Sequence, residues 1–95
     1  MDKIYTGRTS YFEVQITPTP TNLEASQVSY NLYYGDELIF TVEASSLISS
    51  DTVGITIDSD LTENLDEGIY IFEATYTHDG ATDTIVSGKI NILRR

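Results

Sequence analysis

The sequence predicts an all-β domain in which two antiparallel sheets pack face to face. Three observations carry that expectation. Apolar residues alternate with period 2 in run after run, turn residues recur about every 8–12 positions, and no stretch keeps a 3.6-residue period beyond a single turn. A small closed barrel is the alternative architecture for the same pattern.

The first strand spans residues 11–16. Phe12, Val14 and Ile16 fall on one face, with Glu13 and Gln15 on the other. Thr17-Pro18-Thr19-Pro20-Thr21 ends it, because proline cannot donate to a ladder. The second strand sets Val28, Tyr30, Leu32 and Tyr34 against Ser29, Asn31 and Tyr33. Gly35-Asp36 turns the chain, and Leu38, Phe40 and Val42 then alternate with Ile39, Thr41 and Glu43 to complete a hairpin. Residues 44–51 are serine-rich and compatible with an edge strand, a helical turn or a loop. Val53, Ile55 and Ile57 mark the next strand.

The period then breaks. Leu61 and Leu65 are four apart, so one helical turn can aim both at the core, and Gly68 is placed to end that turn in a left-handed conformation. Residues 69–77 place Tyr70, Phe72, Ala74 and Tyr76 on one face, while Ile69 and Ile71 on the other mark a central strand. Asp79-Gly80 is a strong hairpin signal. The last strand, residues 84–93, carries Val86, Ile90 and Ile92 on one face, and Gly88 interrupts it at a bulge or a close approach of backbone.

The element Leu65-x-x-Gly68-x-Tyr70 has the spacing of a tyrosine corner, in which a tyrosine early in a strand bonds back to upstream backbone. Phe72 stands where antibody domains carry a cysteine. With this corner the sandwich is expected to be immunoglobulin-like, with about six to seven short strands and one helical turn near Leu61 and Leu65.

Residues 1–95 fit one domain, since two would each lack a core. There is no cysteine, hence no disulfide, thiolate ligand or thiol nucleophile. The first residues lack the apolar stretch of a signal peptide, and no apolar run approaches the ~18 residues of a membrane span, so a protein made in the cytoplasm is expected. The formal charge of −10 repels nucleic acid and anionic membranes, so neither is expected as a partner. The cations Lys3, Arg8, Lys89, Arg94 and Arg95 lie near the two ends of the chain and read as solvated side chains, or as a small basic patch if the first and last strands meet.

No catalytic constellation stands out. His78 is the only histidine and sits in a turn, and no serine occupies a nucleophile elbow. Neither a phosphate loop nor a zinc or dinucleotide fingerprint occurs. The chain is therefore expected not to be an enzyme and to need no cofactor. Asp58, Asp60, Glu63, Asp66 and Glu67 form an acidic loop that reads as solvated, with calcium as the competing reading. Counted from Asp58, the sixth and twelfth positions are Glu63 and Ile69, where an EF-hand needs glycine and glutamate. Tyr5, Tyr11 and Tyr33 are expected to face outward, and tyrosine's apolar ring and single hydroxyl suit an interface. Gly68, Tyr70, Asp79, Gly80 and Gly88 read as structural.

From Asn22 onward the chain resembles a recurring bacteriophage virion module. Asn22-Leu23-Glu24-Ala25-Ser26-Gln27-Val28-Ser29-Tyr30 is similar to the family's lead into its second strand. Gly54-Ile55-Thr56-Ile57, Leu65-Asp66-Glu67-Gly68-Ile69-Tyr70-Ile71-Phe72, Asp79-Gly80 and Ser87-Gly88-Lys89-Ile90 resemble its second half. Ala25 stands where the family usually has glycine, and the domain is expected to stand alone, without the receptor-binding or trimerisation segment that follows it in baseplate proteins. Such modules occur in small phage structural proteins and at the N-terminus of phage baseplate upper proteins. The resemblance implies a virion protein that binds other capsid or tail proteins in a symmetric, multi-copy assembly. Capsid decoration is the first expectation, a tail or baseplate adaptor the second, and a stand-alone carbohydrate-binding or adhesion module the third.

Overall fold

The structure, a computed structural model, describes residues 2–94. Eight strands form two sheets: β1 (Asp2–Tyr5), β2 (Ser10–Gln15), β3 (Val28–Tyr34), β4 (Glu37–Glu43), β5 (Ser46–Leu47), β6 (Thr52–Ile57), β7 (Gly68–His78) and β8 (Ala81–Leu93). A 3-10 turn at Ala25–Gln27 precedes β3, and the four-residue helix α1 (Ser59–Thr62) follows β6.

The larger sheet has the order β1-β8-β7-β3-β4 and the smaller β2-β6-β5. In immunoglobulin terms β2, β6 and β5 occupy the places of strands B, E and D, and β3, β7 and β8 those of C, F and G, with β4 beside C. Strand A would lie beside B in that fold, but no described strand pairs with the outer edge of β2. The first strand pairs with β8 instead, and in parallel: Asp2 opposite Ile90 and Tyr5 opposite Leu93. Both the extra strand and its parallel pairing depart from the all-antiparallel expectation.

The alternation seen in the sequence builds the core. Val14, Ile16, Val28, Tyr30, Leu32, Val53, Ile55, Ile57, Tyr70, Ala74, Ile90 and Ile92 are buried between the sheets, and Ile4 of β1 joins them. Across the centre Phe12, Tyr30 and Phe72 stack nearly parallel, with centroid separations of 5.5 and 5.6 Å. Offset rings of this kind add to what their buried area contributes.

Three local expectations are corrected. Leu38 does not share a face with Phe40 and Val42: the β3–β4 register shifts between Leu32 and Tyr33, so Ile39 is the extra residue of a bulge and Leu38 turns to the outer surface. In α1 the core-facing residue is Thr62, fully buried, whereas Leu61 is exposed and only Leu65 packs against the core. The Thr62 hydroxyl donates to Ser59 O and accepts from the Gly7 amide, which makes a buried threonine affordable there. Gly68 has no positive φ and opens β7 rather than closing a helical turn.

The β8 bulge lies at Ile85, between pairs Ala74–Val86 and Thr75–Thr84, and not at Gly88. Gly88 is the close approach: a Cβ there would meet the Phe72 ring at 3.2 Å. The Asp79-Gly80 turn forms as expected, both residues with positive φ (51° and 81°), as a two-residue hairpin turn of type I′ requires. Residues 44–51 hold the short edge strand β5.

The tyrosine corner is present. The Tyr70 hydroxyl donates to Asp66 O at 2.8 Å. Burial, reinforced by the nearby Asp66 carboxylate and Tyr34, pushes that hydroxyl above the ordinary phenol range, so it remains a donor at neutral pH. Tyr70→Phe is expected to lower stability by about 1 kcal/mol, the value of one lost hydrogen bond, read as a lower melting temperature. At the other end Asp51 accepts from the Gln15, Ser49 and Thr52 side chains at 2.9 Å each, tying β2 to the β5–β6 turn. These bonds hold its carboxyl below the usual carboxylate range. A depressed folded pKa contributes stability that is complete above the unfolded value of about 3.9 and disappears as pH falls through the folded one. The stability gap between the wild type and Asp51→Asn should therefore narrow in acid titrations below about pH 4.

Candidate interaction surface

The outer face of the five-stranded sheet is divided in two. Reading across the strands, Tyr5 stands opposite Leu93, then Lys3 opposite Asn91 and Ile69, then Lys89 beside Ile71, Tyr33 and Leu38. The following rows are polar: Ser87, Glu73, Asn31 and Thr41, then Thr84, Thr75, Ser29 and Glu43. Side-chain bonds fill these polar rows, with Thr41 donating to Asn31 at 2.8 Å and Thr84 to Glu73 at 3.2 Å. The apolar half has no such network and leaves Ile69 57%, Leu38 50%, Ile71 43% and Tyr5 39% exposed. These exposed apolar side chains gather on neighbouring strands of one face.

Alternation places these side chains. In β7 the even residues face the core, so Ile69 and Ile71 must face outward. The bulge at Ile39 turns Leu38 out beside Tyr33. Parallel pairing of β1 with β8 brings Tyr5 and Lys3 to the same face. Lys3 lies two positions along the register from Lys89, so the two ends of the chain do bring cations together, at the margin of the apolar rows. The Arg8 guanidinium sits 5.6 Å from the Tyr5 ring centroid.

Of the three tyrosines expected at an interface, Tyr5 and Tyr33 share this face. Tyr11 does not: it lies on the outer surface of the three-stranded sheet, its hydroxyl donating to Glu13 at 3.2 Å and its ring lying across Gly54. Its companions there, Glu13, Gln15 and Thr56, are polar. Leu38, Ile69 and Ile71 complete the patch. The sequence carried a signal for Ile69 and Ile71, the apolar second face of a central strand, whereas the outward turn of Leu38 depends on the bulge at Ile39.

Among the described residues no group of three or more histidine, aspartate or glutamate side chains is arranged to hold a metal ion. Asp66 instead lies 3.9 Å from Arg94, and Glu67 accepts from the Arg94 amide at 3.3 Å. His78 stacks on Tyr76 and pairs with Asp79 at 3.1 Å in the exposed hairpin. Among the described residues no helix is long and apolar enough to cross a membrane. Comparison with protein-family models and with curated proteins found no match to this sequence.

Proposed function

We propose that this chain is a non-enzymatic accessory protein of a tailed-phage virion, most simply a capsid decoration, that binds its neighbours through the apolar half of its five-stranded sheet. The observation that carries the reading is the row Ile71, Tyr33 and Leu38 with Ile69 beside it, Tyr33 half-buried and the other three exposed, on a domain of charge −10. Burying that row would remove apolar area from water, and Lys3 and Lys89 at its margin offer a polar rim. The strongly acidic remainder keeps copies soluble and apart from packaged DNA. The sequence resemblance to phage virion modules supports the assembly context. Many copies at equivalent sites need only a modest interface each.

Mass-spectrometric counting of the chain in purified virions of the source phage, against the major capsid protein, tests this reading. Near-stoichiometric amounts support decoration. A few copies per particle relocate it to the tail or baseplate. Absence from virions removes the structural role and brings forward a stand-alone carbohydrate-binding or adhesion module.

A further inference from the structure

A second feature lies on the side of the sandwich, away from the outer face. Where strand A would sit, the two sheets do not close over each other. Between β2 and β8 runs an open cleft whose inner part is lined by Phe12, Val14, Tyr30, Phe72, Ala74 and Val86. A second depression is lined by Pro18 and Pro20 together with Tyr76 and Asp83. Val86 is on the core-facing side of β8, paired with buried Ala74, yet remains 42% exposed. That is the exposure expected of a core position missing one neighbour.

The backbone beside this cleft is also unpaired. Among the described residues β8 has a second neighbour only over Ile90–Leu93, where β1 runs parallel to it. The direction of its free groups can be read from one bond: Thr6 donates to Leu93 O at 2.9 Å, so Leu93 points its peptide groups away from β7. Peptide direction alternates along a strand, so Ser87 and Lys89 point theirs the same way, into the open side. A strand continuing the line of β1 along residues 82–89 would meet these groups and lay alternate side chains over Phe12 and Val86. The bulge at Ile85 limits how far such pairing extends.

We infer that this side is a strand-acceptor site, taking an extended segment of a partner protein as a parallel strand in line with β1. Charge narrows the segment further. The two depressions carry Glu13 and Asp83 and no lysine or arginine among their lining residues, on a chain of charge −10. The occupant therefore alternates apolar residues, facing in, with neutral or basic ones facing solvent. Every described strand of this chain is already committed to a sheet, so none of them is the occupant. Strand addition is an established recognition mode, in which main-chain bonds supply affinity and alternate side chains supply specificity. This site is separate from the outer face of the five-stranded sheet, and either can fail without the other.

The test is an NMR titration of the whole chain with a synthetic nine-residue peptide, Lys-Val-Thr-Val-Lys-Val-Thr-Val-Lys, with a control peptide carrying proline at its centre. The expected result is saturable shifts at the Ser87 and Lys89 amides and exchange at both slowed by about tenfold or more at saturation, with no effect of the control. Ser87→Pro removes a donor that the β7 ladder does not use, and should weaken binding by about fivefold or more. Unchanged Ser87 and Lys89 amides at saturating peptide, or shifts confined to the Ile71 row, would overturn the inference. So would a folded Ser87→Pro protein that binds as tightly as the wild type. If that variant does not fold, the wild-type titration decides alone.

Discussion

Leu32→Ala is expected to cost about 3 kcal/mol and to lower the melting temperature by about 12–24 °C, while Leu38→Ala changes stability by no more than about 0.5 kcal/mol. Both leucines belong to the β3–β4 hairpin and both sit in alternating apolar runs. Leu32 is fully buried on the central strand β3, opposite Phe40 on one side and Phe72 on the other. Truncating it removes buried methyl groups and leaves a cavity that two aromatic rings cannot collapse to fill. Leu38 is half exposed because the Ile39 bulge turns it outward. Thermal or urea unfolding of the two variants measures the difference directly. Similar losses for both would mean that the bulge is misplaced and that Leu38 belongs to the core.

The second large effect concerns association. Ile71→Asp should leave the free domain folded, because the side chain is 43% exposed and Lys89 stands opposite it to pair with the new carboxylate. If the chain docks on the virion through this face as proposed, that binding should nevertheless weaken by about 30-fold or more, since burying the new charge, even beside Lys89, strips water that an apolar partner surface does not replace. Leu47→Asp, at a 50% exposed position on the edge strand β5 of the three-stranded sheet, serves as the control and should bind as the wild type does. Equilibrium binding of both variants to particles stripped of the chain would measure this. Equal affinities would remove the five-stranded face from the account.

Much of the fold could be read from local pattern because a strand's inward set is a local property. The alternations around Phe12, Tyr30, Ile55, Tyr70 and Ile90 each needed only a few residues, as did the Asp79-Gly80 turn and the Tyr70 corner. What could not be read depends on the partner strand. The segment at β1 has one core residue, Ile4, and too short an alternation to announce itself; it is a strand because β8 lies beside it. The bulges at Ile39 and Ile85 are register shifts between two strands, visible only once both are placed. The choice of Thr62 over Leu61 as the buried residue follows from hydrogen bonds to Gly7 and Ser59, the first of which spans the length of the chain between them.

The candidate surface divides along the same line. Tyr5 and Tyr33 were legible as outward-facing, but that they share a face, and that Tyr11 occupies the opposite one, depends on which sheet each strand joins. Ile69 and Ile71 were legible only as marks of a central strand. That both stand exposed follows once the second face of that sheet is seen to carry no covering layer among the described residues. Position 25 does not require a glycine: residues 25–27 form a 3-10 turn closed by the Glu24 amide donating to Gln27, and Ala25 has no positive φ.

The most direct test of the central claim is hydroxyl-radical footprinting of the chain, free and bound to virions. The account predicts that oxidation of Tyr33, Leu38, Ile69 and Ile71 falls sharply on binding while Tyr11 and Leu47 react as they do in the free protein. Protection confined to Tyr11 and Leu47, with the five-stranded face still reactive, would contradict it.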